Sequence, residues 1–205
     1  MIRVLRNSDQ ITIVMEYIPH VNFSDLLPVM GIEGIRNYMK QLFISLDYIH
    51  SFDIVHRDLK PSNFLVNPVE QQYRLVDFGL AEHLSTTNKI QILQEKQGKT
   101  KFDLPNVSRA GTRGYRAPEI LLKHSVQTTA IDMWSAGNFN FIQILKQILI
   151  GVILLSLLTN RYPFFQSHDD LYSITEILNI IPYEEVEKKL LTAYSILNQS
   201  KININ

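Results

Sequence analysis

Five polar side chains that could do chemistry lie in the stretch IVHRDLKPSNFLV, at positions 54–66. They are His56, Arg57, Asp58, Lys60 and Asn63, and apolar residues expected to enter a core flank them on both sides. Polar groups beside buried ones must be paired or put to use. Transfer of a phosphoryl group would use such a set, because it needs a cation at the phosphates, oxygen ligands for magnesium and a carboxylate that orients the attacking hydroxyl.

Each of these tasks has a candidate within the stretch. Asp58 can accept the proton of the attacking hydroxyl, and Lys60, two residues further on, can reach the transferring phosphate. Asn63 offers a neutral oxygen ligand for the metal. Asp58 and Lys60 are therefore candidate catalytic residues, with Lys60 and Asn63 as candidate ligands of the nucleotide and its metal.

The elements that follow should bring a second metal ligand to Asn63. FLV at 64–66 and YRLV at 73–76 are short strand-like runs, and Asn67-Pro68 marks a turn between them. If the two runs pair as a hairpin, the residue before the first and the residue after the second become neighbours. The sequence thus predicts a metal site formed by Asn63 and Asp77.

Three further elements are expected around this hairpin. ITIVMEYI, at 11–18, is rich in β-branched residues and predicts a strand. Residues 32–51 place apolar side chains at helical spacing and predict a long amphipathic helix. A second apolar helix is predicted from TTAIDMWSAG, where Thr129 and Asp132 have the spacing of a capping box.

Composition limits the class of partner and the compartment. Twenty Lys and Arg balance twenty Asp and Glu in the 205 residues, so no overall field favours direct binding of nucleic acid or of a membrane. The chain has no cysteine, which excludes disulfides and thiolate metal sites. Its start, MIRVLRNSDQ, lacks the apolar core of a secretory signal, so an intracellular protein is expected.

One segment, FIQILKQILIGVILLSLL at 141–158, is nearly long enough to span a bilayer. Lys146 and two glutamines interrupt it, and the uninterrupted part, 148–158, has the length of a buried helix. These features favour a core helix or an insertion over a membrane span.

Three motifs carry a family resemblance. His56-Arg57-Asp58-Leu59 with Asn63 five positions after the aspartate, then Asp77-Phe78-Gly79, then Ala117-Pro118-Glu119, resemble signature elements of protein kinases, in kinase order. The resemblance implies an α+β, protein-kinase-like fold and a serine/threonine protein kinase, a transferase that uses ATP and Mg2+.

The resemblance also implies a division of the chain. Residues 1–18 would be residual strands of the amino-terminal lobe and the hinge, and residues 19–205 the mainly helical carboxy-terminal lobe. Within the latter, 77–119 would be the activation segment, with a polar insertion at 84–108, and 138–151 would be an insertion in a helix.

Several other residues acquire roles by this resemblance. Thr112 would lie beside the catalytic Asp58 and Lys60, which favours serine or threonine as the substrate residue. Asp132 would brace the HRD backbone, alongside its reading as a helix cap, and Arg57 would capture a phosphate on the activation segment. The adenine-binding hinge would consist of Met15, Glu16 and Ile18.

The wording of the motifs is more specific still. KPSNFLV, YRLVDFGLA, RAGTRGYRAPEILLK and TTAIDMWSAG are similar to the cell division cycle seven kinase family. That resemblance implies a role in DNA replication and the cell cycle, a nuclear location and an activating regulatory subunit. It also implies that Arg113 and Arg116 favour an acidic residue after the phosphoacceptor; the alternative is that Arg116 is a structural ion-pair partner.

The sequence departs from the kinase pattern in two respects. No G-x-G occurs, and only MIRVLRNSDQ precedes the expected hinge strand, so the Gly-rich loop and the lysine that clamps ATP have no counterpart. This predicts an inactive or weakly active chain, with a pseudokinase-like binding protein as the alternative. Removal of 138–151 leaves WSAGVILLSLLTNRYPFF, a continuous family-like helix, which indicates a translated intron or a loop.

Overall fold

The computed structural model describes residues 3–84, 110–122, 127–137, 151–166 and 168–180. Within these ranges six strands form three antiparallel pairs, each a small sheet of its own. The strands are β1 (Arg3–Asn7), β2 (Gln10–Val14), β3 (Ile54–Val55), β4 (Phe64–Asn67), β5 (Gln72–Leu75) and β6 (Glu82–His83). The predicted insertions at 84–108 and 138–151 lie outside the described residues, except for Leu84 and Gly151.

The first hairpin pairs β1 with β2, and every residue of both strands is exposed. The predicted strand over 11–18 is too long, because β2 ends at Val14. Val14 is the last residue of β2 and pairs with Arg3, and positions 15–18 follow this pairing. That segment is accordingly not a strand.

The α-helices of the described residues are α1 (Phe23–Leu26), α2 (Ile32–His50), α3 (Pro118–Leu121), α4 (Ala130–Ala136), α5 (Val152–Thr159) and α6 (Asp170–Leu178). The long helix predicted over 32–51 is confirmed as α2. Its apolar stripe faces inward, where α4 and α5 pack against it. The buried side chains of the stripe are Tyr38, Met39, Leu42, Leu46 and Ile49.

The hairpin predicted after the candidate catalytic residues is confirmed. β4 and β5 are antiparallel, with Phe64 opposite Leu75 and Asn67 opposite Gln72. Asn67 closes the turn, since its side-chain oxygen accepts hydrogen bonds from the backbone N–H groups of Val69 and Glu70. Phe64 anchors the hairpin to α2 through an edge-on contact with Tyr38, with ring centroids 5.1 Å apart.

The two glycines that flank positions 138–150 meet inside the fold. Gly137 ends α4 and Gly151 precedes α5, and both are buried. A methyl group on Gly151 would lie 2.1 Å from the backbone nitrogen of Gly137, so only glycine fits this approach. The two positions that border the proposed insertion therefore lie in direct contact.

The described part of the apolar segment 141–158 supports its interpretation as core. Val152, Ile153, Leu154 and Leu157 of α5 are buried against the rest of the fold. In the portions of the chain that the structure describes, no helix combines the length and the apolar character needed to cross a membrane.

Candidate active site

The loop that carries the candidate catalytic residues is held by one buried carboxylate. Asp132, on α4, is only 1% exposed. It accepts hydrogen bonds from the backbone N–H groups of His56, at 2.8 Å, and Arg57, at 2.9 Å. Its Oδ2 also lies 2.9 Å from Nε2 of His50 at the end of α2. The predicted bracing of the HRD backbone by Asp132 therefore exists in the structure.

The capping-box interpretation of Asp132 is wrong. Thr129 has helical backbone angles and its side chain makes no capping hydrogen bond. The two oxygens of Asp132 bind the backbone N–H groups of His56 and Arg57 and not that of Thr129. A tertiary demand for a buried acceptor has thus overridden the local pattern.

Asp58, Lys60 and Thr112 converge on one point. Thr112 donates to Oδ1 of Asp58 from its hydroxyl, at 2.6 Å, and from its backbone nitrogen, at 2.7 Å. Lys60 Nζ lies 2.9 Å from Asp58 Oδ2 and 2.8 Å from the Thr112 hydroxyl oxygen. Thr112 comes from a segment 54 positions further along the chain, so this convergence depends on the tertiary fold.

These contacts favour the ionised form of Asp58. Burial by itself would raise the pKa of this carboxyl group, since it disfavours the charged form. Hydrogen bonds from Lys60 and Thr112, together with the charge of Lys60, outweigh burial, and the pKa of Asp58 is lowered below its usual 3.8. Asp58 is thus held as a carboxylate that can accept a proton.

Asn63 is oriented by the same aspartate. Its Nδ2 donates to the backbone oxygen of Asp58, at 2.9 Å, and lies 3.3 Å from Asp58 Oδ2. Because the amide nitrogen is committed to this side, the amide oxygen points elsewhere. Its backbone oxygen accepts from Val76, at 2.9 Å, so Asn63 sits opposite the residue that precedes Asp77.

The hairpin β4–β5 thus delivers Asn63 and Asp77 to its open end. Asp77 is exposed and has a left-handed backbone, with φ of 64°. Its Oδ1 accepts a hydrogen bond from the backbone nitrogen of Gly79, at 3.3 Å. Behind it, the buried His56 ring packs 5.0 Å from the Phe78 ring and hydrogen-bonds the backbone oxygen of Val76, at 2.9 Å.

The donor chemistry at this end fits magnesium. Mg2+ takes oxygen ligands and is commonly held by one or two protein groups together with substrate phosphates and water. Asn63 offers an amide oxygen turned away from Asp58, and Asp77 offers a solvent-exposed carboxylate. Among the described residues no cluster of three His, Cys, Asp or Glu side chains could hold a metal without such a substrate.

The expected hinge residues lie outside the sheets. Met15 and Glu16 are exposed in the segment that follows β2, and Ile18 is half-buried. The backbone oxygen of Ile18 is 2.9 Å from Nδ1 of His20. The role of these residues in binding adenine stays a prediction.

The two arginines expected near the substrate residue both have partners within the chain. Arg113 donates to the backbone oxygen of His168, at 2.8 Å. Arg116 donates to the backbone oxygen of Gly111, at 2.9 Å, and pairs with Asp170, at 2.9 Å. The structural ion pair considered for Arg116 is therefore present, and its recognition of an acidic substrate stays a prediction.

Three residues that contact the loop or the aspartate that holds it were not predicted from the sequence. His50 binds Asp132, while Glu82 and Gln127 bind the guanidinium of Arg57. No local pattern marks them, because their partners lie at least 25 positions away in the sequence. The one signal in the sequence was the positive charge of Arg57 beside residues expected to be buried, because a buried cation requires a negatively charged partner.

Comparison with known proteins agrees with this geometry. A family model described as the protein kinase domain matches residues 1–201. The probable cell division control protein 7 homolog 2 of Encephalitozoon cuniculi is 35% identical, over 89% of this chain and 54% of that protein. The cell cycle protein kinase spo4 of Schizosaccharomyces pombe is 35% identical, over 88% of this chain and 45% of that protein.

A human relative, the cell division cycle 7-related protein kinase, is 28% identical, over 85% of this chain and 53% of that protein. The chain thus spans about half the length of the curated relatives it matches. The resemblance to kinases of the cell division cycle seven type, and with it the α+β kinase-like fold, is confirmed. Since the kinase-domain model covers nearly the entire sequence, the chain belongs to the protein kinase family.

Proposed function

We propose that this site transfers the γ-phosphate of ATP to a serine or threonine hydroxyl of a protein substrate. The observation that carries the proposal is the convergence of Asp58, Lys60 and Thr112 within hydrogen-bonding distance of one another. It joins a proton acceptor and a cation, which are two of the groups that phosphoryl transfer to an alcohol needs from a protein. Lys60 and Thr112 together favour serine or threonine over tyrosine.

The hydrogen bonds assign different tasks to the two oxygens of Asp58. Oδ1 is occupied by both donors of Thr112, which fixes the orientation of the carboxylate. Oδ2 faces Lys60 and, at the longer distance of 3.3 Å, Asn63. We assign Oδ2 as the atom that receives the substrate proton, while Lys60 moves its ammonium group toward the transferring phosphate.

ATP and Mg2+ are the cofactors of this proposal, as they are for the family in general. Asn63 and Asp77 would hold the metal through their oxygens, and Met15, Glu16 and Ile18 would contact adenine. The bound ion would neutralise the charge that develops on the phosphates. The side chain of Asn63 is held in place before any ligand arrives, because its Nδ2 donates to the backbone oxygen of Asp58.

The biological setting belongs to the same proposal. The relatives are named as a probable cell division control protein and a cell cycle protein kinase, which supports a cell-cycle role. The motif resemblance extends this to DNA replication, a nuclear location and an activating regulatory subunit. Residues 1–18 as remnant strands and hinge, and 19–205 as the carboxy-terminal lobe, complete the proposed organisation.

Nucleotide binding is the first test, because the chain by itself is predicted to transfer phosphate weakly or not at all. Thermal unfolding of the wild type with ATP and Mg2+ should show a rise in Tm that chelation of magnesium abolishes. Asp77→Asn should lose most of that rise. Glu70→Gln, which changes an exposed carboxylate on the turn of the same hairpin, should keep it. A wild type without a shift, or an equal shift in Asp77→Asn, would refute the proposed nucleotide site.

Phosphate transfer from labelled ATP to serine and tyrosine peptides is the second test. Any serine-directed activity should fall about 100-fold or more in Asp58→Asn, which is the range for loss of a general base. Activity that survives this change would contradict the role of Asp58. Capture of a partner protein without any nucleotide-dependent shift would support the binding-protein alternative instead.

A further inference from the structure

The guanidinium group of Arg57 is mostly buried beside the candidate base. Only 10% of its side chain is exposed, and its backbone has a left-handed φ of 68°. Its NH1 binds a carboxylate oxygen of Glu82, and its NH2 donates to Oε1 of Gln127, at 3.0 Å. A buried cation needs a nearby negative charge, since desolvation otherwise outweighs its other contacts.

Glu82 is placed for this contact by the pairing of the two-residue strands β3 and β6. β3 and β6 pair so that Val55 lies opposite Glu82 and Ile54 opposite His83. Leu84 extends the connection by donating to the backbone oxygen of Asp53, at 2.9 Å. Glu82 follows Asp77, the candidate metal ligand, by five positions. The pairing of β6 with β3 therefore joins the segment that begins at Asp77 to the strand directly before His56.

Arg57 therefore joins three segments that the sequence separates. The first segment is its own, which continues directly into Asp58. The second is β6, which contains Glu82, and the third is the segment before α4, which contains Gln127. The backbone oxygen of Arg57 packs against Gly111. A methyl group added to Gly111 would lie 2.7 Å from that oxygen. The residue thus sits at the centre of the segments that hold Asp58 and Thr112.

We propose that Glu82 is a positioning residue for this site. Its carboxylate supplies the negative charge that holds the guanidinium of Arg57, so no phosphate is needed for this purpose. Because Arg57 directly precedes Asp58, the same contact holds the loop of Asp58. The importance of this contact for catalysis rests on the proposed function; the contact itself and its effect on loop order do not. A phosphate on the activation segment would have to compete with Glu82 for the same guanidinium.

Hydrogen–deuterium exchange of the full 205-residue chain tests this directly. The readout is a peptide that covers positions 54–60, compared in the wild type, Glu82→Gln, Glu82→Asp and the matched control Glu70→Gln. We expect exchange about tenfold faster in Glu82→Gln, which removes the charge and keeps the shape. Glu70→Gln should match the wild type. Treatment of the wild type with a phosphatase should change nothing.

The aspartate variant separates charge from packing. Glu82→Asp keeps the charge on a shorter side chain, so it should lie closer to the wild type than Glu82→Gln does. The reverse order would show that shape, not charge, matters and would overturn the proposal. So would equal exchange in Glu82→Gln and Glu70→Gln, or faster exchange of the wild type after phosphatase treatment.

The test still decides if one variant does not fold or if the chain binds no nucleotide. If Glu82→Gln does not fold, the comparison of Glu82→Asp with the wild type before and after phosphatase treatment still decides, since protection lost on treatment refutes the proposal. The exchange measurement uses neither nucleotide nor substrate. A chain that binds no ATP would refute the proposed function, while the effect of Glu82 on loop protection would stand or fall by its own result.

Discussion

Replacement of Asp132 by asparagine should destabilise the chain strongly, although the change is nearly isosteric. In the wild type, Oδ1 accepts from the Arg57 amide, and Oδ2 accepts from the His56 amide and faces Nε2 of His50. Asparagine keeps one acceptor oxygen and puts an NH2 group in the other position. At least one buried backbone N–H would then face another donor.

The size of the effect follows from these contacts. An unsatisfied buried donor costs about 1–3 kcal/mol, and a hydrogen bond to a charged acceptor is worth about 1.5–3 kcal/mol. Loss of one bond and weakening of another predicts a fall of about 3 kcal/mol in the free energy of unfolding. That is a large part of the 5–15 kcal/mol roughly typical of a folded domain. The melting temperature should fall by about 6–12 °C.

Urea unfolding followed by circular dichroism would measure this difference. Asp47→Asn is the matched control, because Asp47 is an exposed aspartate on α2, and its change should stay within about 0.5 kcal/mol. The amides of His56 and Arg57 should exchange faster in Asp132→Asn. A loss below about 1 kcal/mol, comparable to the usual scatter of surface substitutions, would refute the bracing role of Asp132.

Three further predictions concern other parts of the chain. Thr112→Val removes the hydroxyl that donates to Asp58 and accepts from Lys60, so the rate of phosphate transfer to serine should fall about tenfold. Thr112→Ser keeps a hydroxyl and should retain most of the wild-type rate. Equal rates in Thr112→Val and the wild type would refute this role. Because the pKa of Asp58 is lowered in the folded state, its carboxylate stabilises the fold at pH values above its usual pKa of 3.8. This stabilisation is lost as the pH falls through the folded-state pKa. Unfolding free energies between about pH 3 and 6 should thus decline less steeply in Asp58→Asn; parallel curves would contradict it. Deletion of 138–151 should leave a cooperatively unfolding chain. We expect it to be more stable by about 2 kcal/mol, because folding no longer has to close that stretch of chain, and loss of cooperative unfolding would contradict the insertion.

The parts of the fold that the sequence predicts well are those that neighbours along the chain decide. The apolar spacing of α2 is such a case, because burial of one face sets a period that is visible in the letters. The β4–β5 hairpin is another, since its turn and its two short runs are local. With the hairpin came the placement of Asn63 next to the residue before Asp77.

The parts that the sequence does not predict depend on distant partners. β2 ends at Val14, the residue that pairs with Arg3, although the predicted strand continues to Ile18. The spacing of Thr129 and Asp132 is that of a helix cap, but the carboxylate is drawn to two amides 75 and 76 positions away. Glu82 likewise carries no mark of its partnership with Arg57.

The meeting of Gly137 and Gly151 has a consequence for how freely this chain can vary in length. Because the two ends already touch, the entropy of closing whatever lies between them rises only slowly with its size, by about 0.6 kcal/mol for each doubling. Strains of one organism could therefore differ by dozens of residues here and keep nearly the same stability. The two glycines themselves have no such freedom, and we expect them to be the fixed borders of a variable stretch.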